Sequence, residues 1–367
     1  MEQPLLDRAH HIGGIQALRA LSALLVVLCH TGLLVLPLSE RLFYWLGAAG
    51  YAGVDMFFVI SGFVVSGVAW RTTQTIPGPR GAWDFALRRI FRIYPLWWVV
   101  FVVATLAGPL LNNALAHPHP TYPPIFSFLL MDERNSALKI AWTLAYEMYF
   151  YAVLTGIVLL SGRYFTRVMD IAAVAYAALL VYVSVTFTPL TLLPINPVIL
   201  DFLMGYLVFR LYQSGWLFRG GTVTIVAAFL IVASVSYLSL NPTIAINHLR
   251  PWFLGVPAAL LLYGVVALER QGYRVPKLAL LLGDASYSIY LWHLLVILAL
   301  DPLARQLHPI AGSLALAALS VLVGVASFWL VERPAARLLA PLRRRLAPFE
   351  PGSGPPNGLP PAKAVQL

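Results

Sequence analysis

The chain has 367 residues, of which 60% are hydrophobic and only 11% charged, with a formal net charge of +10. A soluble domain is nearer a quarter charged, so this balance, with a mean hydropathy of +0.78, excludes an ordinary soluble fold and predicts an all-α integral membrane protein. The positive excess is then read by its location, as orientation in a membrane and not as a nucleic-acid surface, and the single cysteine, Cys29, excludes an internal disulfide.

The first apolar run, 12–37, is long, carries Arg19 and lacks a small-residue cleavage site, so it is expected to stay as a helix and not to be removed as a signal peptide. It opens a series of about ten spans, each near the 20 residues a bilayer requires. They fall at 14–36, 43–69, 91–111, 138–160, 168–187, 195–213, 222–240, 251–268, 284–304 and 311–331. With the N-terminus in the cytoplasm, the inner segments hold the large majority of the 25 lysines and arginines. Only Arg41, Arg134, Lys139, Arg250 and Arg305 fall outside. That bias and the even count predict both termini in the cytoplasm.

The segment 112–137 is the one long outer connection and is expected to cap an outward cavity. Its His117-Pro118-His119-Pro120 run has no nearby Cys or carboxylate and reads as a stiff polar loop, with no metal site predicted. Residues 10–335 read as one membrane domain. The tail 341–367, rich in Arg and then in Pro and Gly, is predicted to be disordered and cytoplasmic, with Arg343, Arg344 and Arg345 near anionic lipid headgroups.

Several ionisable residues fall inside the spans, where such groups are costly and usually face a protein interior or a cavity. Arg19 and His30 are eleven residues apart, about three turns plus 20°, so they share one helix face about 16.5 Å apart along the axis. His30 lies about 24 Å from the inner end of its span and Glu147 about 14 Å from the outer end of its own. A neutral histidine among carboxylates can act as a general base near neutral pH. His30 with Glu147 is therefore the leading candidate for chemistry. Asp55 is a weaker candidate, and His293 and Asp201 fit helix packing at least as well. Cys29 adjoins His30, but adjacent helix positions point about 100° apart, so the cysteine reads as packing.

Arg88, Arg89 and Arg92 precede the third span on the inner side, and Arg89 and Arg92 share a helix face. Every inner arginine satisfies plain anchoring. Beside an intramembrane base, however, this cluster also suits a phosphate-bearing donor. The stretch GVDMFFVISGF at 53–63 places Gly53, Ser61 and Gly62 among bulky residues. These allow either close helix approach or room for a slim ligand.

Six segments occur in order: Arg19 with His30, GVDMFFVISGF at 53–63, RRIFRIYP at 88–95, WTLAYEMYFY at 142–151, SYSIYLWH at 286–293 and VERP at 331–334. Together they resemble the signature blocks of the acyltransferase-3 family of membrane acyltransferases, over roughly residues 10–335. The resemblance implies a multi-pass protein of a bacterial-type plasma membrane, with an acyltransferase-3-like bundle. It implies transfer of an acyl group, acetyl by default, from cytoplasmic acyl-CoA to a hydroxyl on an extracytoplasmic glycan or a smaller acceptor, and cooperation with polysaccharide-biosynthesis partners. It implies His30 as catalytic base with Arg19 as its essential partner, Arg89 and Arg92 on the CoA phosphates with Arg88 beside them, and Glu147 as the acidic residue of its block. Asp55 is carried over less firmly, and SYSIYLWH and VERP are taken as structural. Direct transfer and an acyl-histidine intermediate both remain open. A proton-coupled transporter or a membrane sensor would be the competing classes; no paired Gly/Pro-broken helices favour the transporter.

Overall fold

The computed structural model describes residues 12–111, 114–117, 123–187, 193–241 and 246–347. Fourteen α-helices form among them. In chain order they are α1 Gly13–Thr31, α2 Glu40–Thr75, α3 Pro79–Ala107, α4 Pro124–Phe128, α5 Trp142–Ser161, α6 Phe165–Thr186 and α7 Ile199–Ser214. They continue with α8 Gly220–Leu240, α9 Ile246–Arg250, α10 Val256–Arg270, α11 Lys277–Asp284, α12 Ser286–Ala304, α13 Pro309–Ser327 and α14 Arg333–Leu346. One π-turn, Pro251–Gly255, joins α9 to α10, and a second, Phe328–Glu332, joins α13 to α14. The starts obey local chemistry. Ser39 caps α2 by accepting from the Leu42 N–H at 3.2 Å, and α3 and α13 open on prolines whose missing N–H has no helical partner at that position.

Among the described residues, eight helical stretches are long and apolar enough to cross a membrane. The ten-span expectation differs from this at two places. Lys139–Thr186 is one 48-residue stretch in which a short 3₁₀ turn, Gly162–Tyr164, separates α5 from α6. Helix α7 has only 16 residues, about 24 Å at 1.5 Å per residue.

One expectation is corrected at the tail. Residues 341–346 are helical, not disordered, because α14 runs on to Leu346. Leu338, Leu342 and Leu346 recur every fourth residue along one stripe while arginines fill the last turn. The indole N–H of Trp83 donates to the Leu346 carbonyl at 3.0 Å and ties the helix end to α3. Residues 348–367, Arg8 and His119 lie outside the described residues. The outer connection folds back on α3: Tyr94 donates its hydroxyl to the Leu129 carbonyl at 2.7 Å, and the Trp97 indole donates to the Phe128 carbonyl at 2.9 Å.

Helix α2 is the centre of the bundle, packed on α1, α7, α8 and α5. Its approach to α7 requires glycine on both sides. A Cβ on Gly62 would strike the Phe202 carbonyl, and one on Gly205 would strike the Val59 carbonyl. Beside this crossing Phe58, Phe202 and Phe150 stack in sequence, with ring centroids 4.7 and 4.6 Å apart. The ambiguity at 53–63 is thus resolved for Gly62 as close helix approach.

Helix α1 begins without a cap of its own. The carboxylate of Glu269, at the end of α10, accepts from the N–H groups of Gly13 and Gly14, both at 2.7 Å. A carboxylate there satisfies two orphan donors and meets the positive end of the helix dipole. Glu269→Ala is expected to lose about 1–2 kcal/mol, read as a drop in thermal midpoint of the detergent-solubilised protein. An unchanged midpoint would show that α1 needs no capping.

Candidate functional site

Arg19 and His30 do project from one helix, α1, and they end in different surroundings. Arg19 lies where two cavities meet. The larger, about 720 Å³, is lined by Arg19, Arg71, Arg88, Arg89, Arg92 and Arg343 together with apolar residues of α1, α2, α3 and α14. The smaller, about 180 Å³, runs between α1, α2, α3, α5 and α12. Arg19, Val64, Arg89 and Arg92 line both.

Each wall of the inner cavity follows from helical periodicity. Thr143, Glu147 and Tyr151 recur every fourth residue on α5 and so present one stripe over about 12 Å. Phe57, Ser61 and Val64, four and three residues apart, share one face of α2, and Tyr287 and Tyr290 face them from α12. The cavity therefore carries polar groups on α5 against a mostly apolar α2 wall.

The arginines are not equivalent. Arg88 pairs with Asp84 one turn back at 2.7 Å, with 42% of its side chain exposed. Arg92 meets Glu332 at 2.5 Å, and Glu332 in turn accepts from the Ser288 hydroxyl at 2.5 Å. Arg89 lies over the rings of Phe85 and Tyr151, at 5.9 and 5.8 Å, and its Nε is buried with no hydrogen-bond partner. Arg89 itself lines both cavities beside Arg19 and Arg92, a concentration of positive charge that fits an anionic ligand. The SYSIYLWH and VERP blocks, taken from sequence as structural, supply the residues that hold Arg92. A glutamate directly at the end of the last apolar span calls for a cation, and that was the available signal.

Glu147 accepts from the Ser61 hydroxyl at 3.1 Å and from the Tyr151 hydroxyl. Its carboxylate lies in the field of Arg19 and Arg89. The structure thus brings Glu147 together with the arginines of the cavity. His30 meets an imidazole instead. Its Nδ1 is 2.9 Å from the Val26 carbonyl and 3.3 Å from Nε2 of His293, with ring centroids 4.8 Å apart. The neighbour on the other side, Tyr290, lines the inner cavity. Its hydroxyl is 2.8 Å from the Thr143 hydroxyl and 2.8 Å from the Ile140 carbonyl.

Asp55 faces away from both cavities. It forms a fully buried ion pair with Arg250 at 2.5 Å, with Asp201 beside it. Arg250, counted from sequence among the outer-loop charges, is only 2% exposed. No group of three or more metal-binding side chains occurs among the described residues.

Residues 12–331 match an acyltransferase domain family. The exopolysaccharide production protein ExoZ of Rhizobium meliloti is 32% identical over 302 residues, covering 78% of this chain and 90% of ExoZ. Nodulation protein 10 of Rhizobium leguminosarum bv. viciae is 27% identical, covering 80% of this chain and 85% of its own. BcsY of Komagataeibacter xylinus is 27% identical, covering 87% and 81% respectively. No solved structure matches the chain.

Proposed function

The chain belongs to the acyltransferase-3 family, whose domain it matches over residues 12–331, and from that premise we propose that it moves an acyl group from cytoplasmic acyl-CoA to a hydroxyl of an extracytoplasmic polysaccharide. Acetyl is the default donor group, by family resemblance and the narrowness of the inner cavity. The polysaccharide acceptor is supported by the likeness to ExoZ, an exopolysaccharide production protein.

The observation that carries this reading is the pair of joined cavities. A wide, arginine-lined vestibule suits the nucleotide and phosphates of CoA, and a narrow, mostly apolar channel of about 180 Å³ suits a thin arm ending in a thioester. Arg19, Arg89 and Arg92 stand at the junction, where a diphosphate would be held while the arm continues inward. The separation of Arg19 and His30, about 16.5 Å along α1, is comparable to the reach of that arm.

The chemistry is then an acyl exchange. His30 takes the proton of the acceptor hydroxyl as its oxygen bonds to the thioester carbonyl carbon. The carbon–sulfur bond breaks, and the departing thiolate takes the proton from the imidazolium to leave as the free thiol. The products are an ester and CoA, and no net proton is gained or lost.

The donor half is tested with Arg89→Gln and Arg92→Gln in membrane vesicles given labelled acetyl-CoA. Loss of one charge-assisted bond costs about 1.5–3 kcal/mol, so KM for acetyl-CoA should rise about ten- to a hundredfold with kcat less affected. An unchanged KM in both variants would remove the arginines from the donor site. The acceptor half is tested by mass spectrometry of envelope polysaccharides from cells with and without the protein, where an acyl mass increment should depend on it.

A further inference from the structure

We propose that His293 is a positioning residue that fixes the tautomer and orientation of His30, so that the reacting nitrogen of His30 is Nε2. The inference rests on His30 being the base of the reaction proposed above.

Proton placement follows from what each partner can do. Nδ1 of His293 is 2.6 Å from the Tyr290 carbonyl oxygen, which only accepts, so His293 carries its proton on Nδ1. Its Nε2 is then a bare lone pair. That lone pair and the Val26 carbonyl both face Nδ1 of His30, at 3.3 and 2.9 Å. Two acceptors oblige His30 to carry its own proton on Nδ1 and leave its lone pair on Nε2. The relay has one direction: the Tyr290 carbonyl orders His293, and His293 orders His30.

Burial supports the division of labour. His293 is fully buried, whereas His30 is half-buried on the same pair. The His293 ring has no exposed surface, whereas the His30 ring keeps part of its own. The frame is rigid, because α12 and α1 are each tied to α13. The Trp292 indole donates to Ser327 at 2.8 Å, and the Ser313 hydroxyl donates to Thr31 at 2.9 Å. Among the described residues no carboxylate enters the pair, and the charged group whose field reaches His30 is Lys139, just before α5.

In the transfer step the hydroxyl proton moves to Nε2 of His30, giving an imidazolium whose Nδ1–H remains shared by Val26 and His293. The proton then leaves from Nε2 to the thiolate. His293 undergoes no change of protonation. Its contribution is to hold the ring and to accept from the cationic form.

Two substitutions separate the halves of the relay. In His293→Gln the side-chain oxygen reaches the place of Nε2 and still accepts from His30. In His293→Asn the amide occupies the place of Nδ1, keeps the bond to the Tyr290 carbonyl and offers His30 nothing. Both are assayed in nanodiscs with acetyl-CoA as donor and envelope polysaccharide from the source cells as acceptor, with rates normalised to folded protein. His293→Asn should lower kcat roughly ten- to a hundredfold, the range typical of losing the partner that orients a working histidine, with KM for acetyl-CoA unchanged. The low-pH limb of kcat should move to lower pH, because the imidazolium has lost an acceptor. His293→Gln should restore most of the rate and the position of the limb.

The inference is overturned if His293→Asn keeps the wild-type rate and limb, or if Gln and Asn are equally slow with unmoved limbs, as a packing role would give. His30→Ala is run beside them. If it retains transfer, the proposed base itself is wrong. If it is inactive while His293→Asn is normal, only the relay is wrong.

Discussion

His30→Ala is expected to abolish acyl transfer to within background, a loss of about 10²–10⁴-fold from removing a positioned general base. The substitution removes the one half-buried imidazole that follows Arg19 on the same helix face while leaving both cavities lined as before, since His30 is in the wall of neither. Labelled acetyl-CoA should therefore still bind with close to wild-type affinity. That combination, intact donor binding with lost turnover, distinguishes a lost base from a collapsed bundle. Wild-type transfer by His30→Ala vesicles would sink the catalytic role. A variant that loses binding and turnover together would show that His30 is part of the scaffold.

The contrast with Glu147 sharpens the point. Both residues read from sequence as partners in one site because each is an ionisable group near the middle of a span. Depth along a helix is legible in sequence, since it needs only the rise per residue. Direction across the bundle is not, because it depends on how five helices pack. Arg19, Arg89 and Arg92 come together in the structure at the junction of the two cavities, while the depth of His30 follows from the rise along α1 alone. The partner of His30 came from α12, more than 250 residues away in sequence. Similarly, the buried Asp55 signalled that a cation must exist, but nothing local identified Arg250, which lies 195 residues downstream. The helix starts at Ser39, Pro79 and Pro309 obey short-range capping rules. The continuation of α14 to Leu346 was masked in sequence by Pro341, which breaks an interior helix on average but is tolerated near this helix's end, where Trp83 anchors the last turn.

The largest expected loss of stability is for Arg250→Met. Arg250 and Asp55 are 2% and 0% exposed, and the guanidinium also lies over the rings of Tyr51 and Trp142, at 4.8 and 5.5 Å. Asp201, also fully buried, lies beside Asp55 and in the field of the same guanidinium. One cation thus serves two carboxyl groups. Removing it strands both, and breaking a buried pair from one side costs about 3–5 kcal/mol, a large share of the roughly 5–15 kcal/mol by which folded domains are stable. The variant should be nearly absent from membranes, measured as monodisperse protein after detergent extraction. Asp55→Asn should be milder, because Asp201 remains beside the guanidinium. Combining Arg250→Met with Asp55→Asn and Asp201→Asn removes every formal charge from the cluster and should recover much of the yield. That recovered protein also decides the role of Asp55. An ion pair that only locks α2 against α9 predicts near wild-type transfer per folded molecule, whereas a folded but inactive triple variant would return Asp55 to the chemistry.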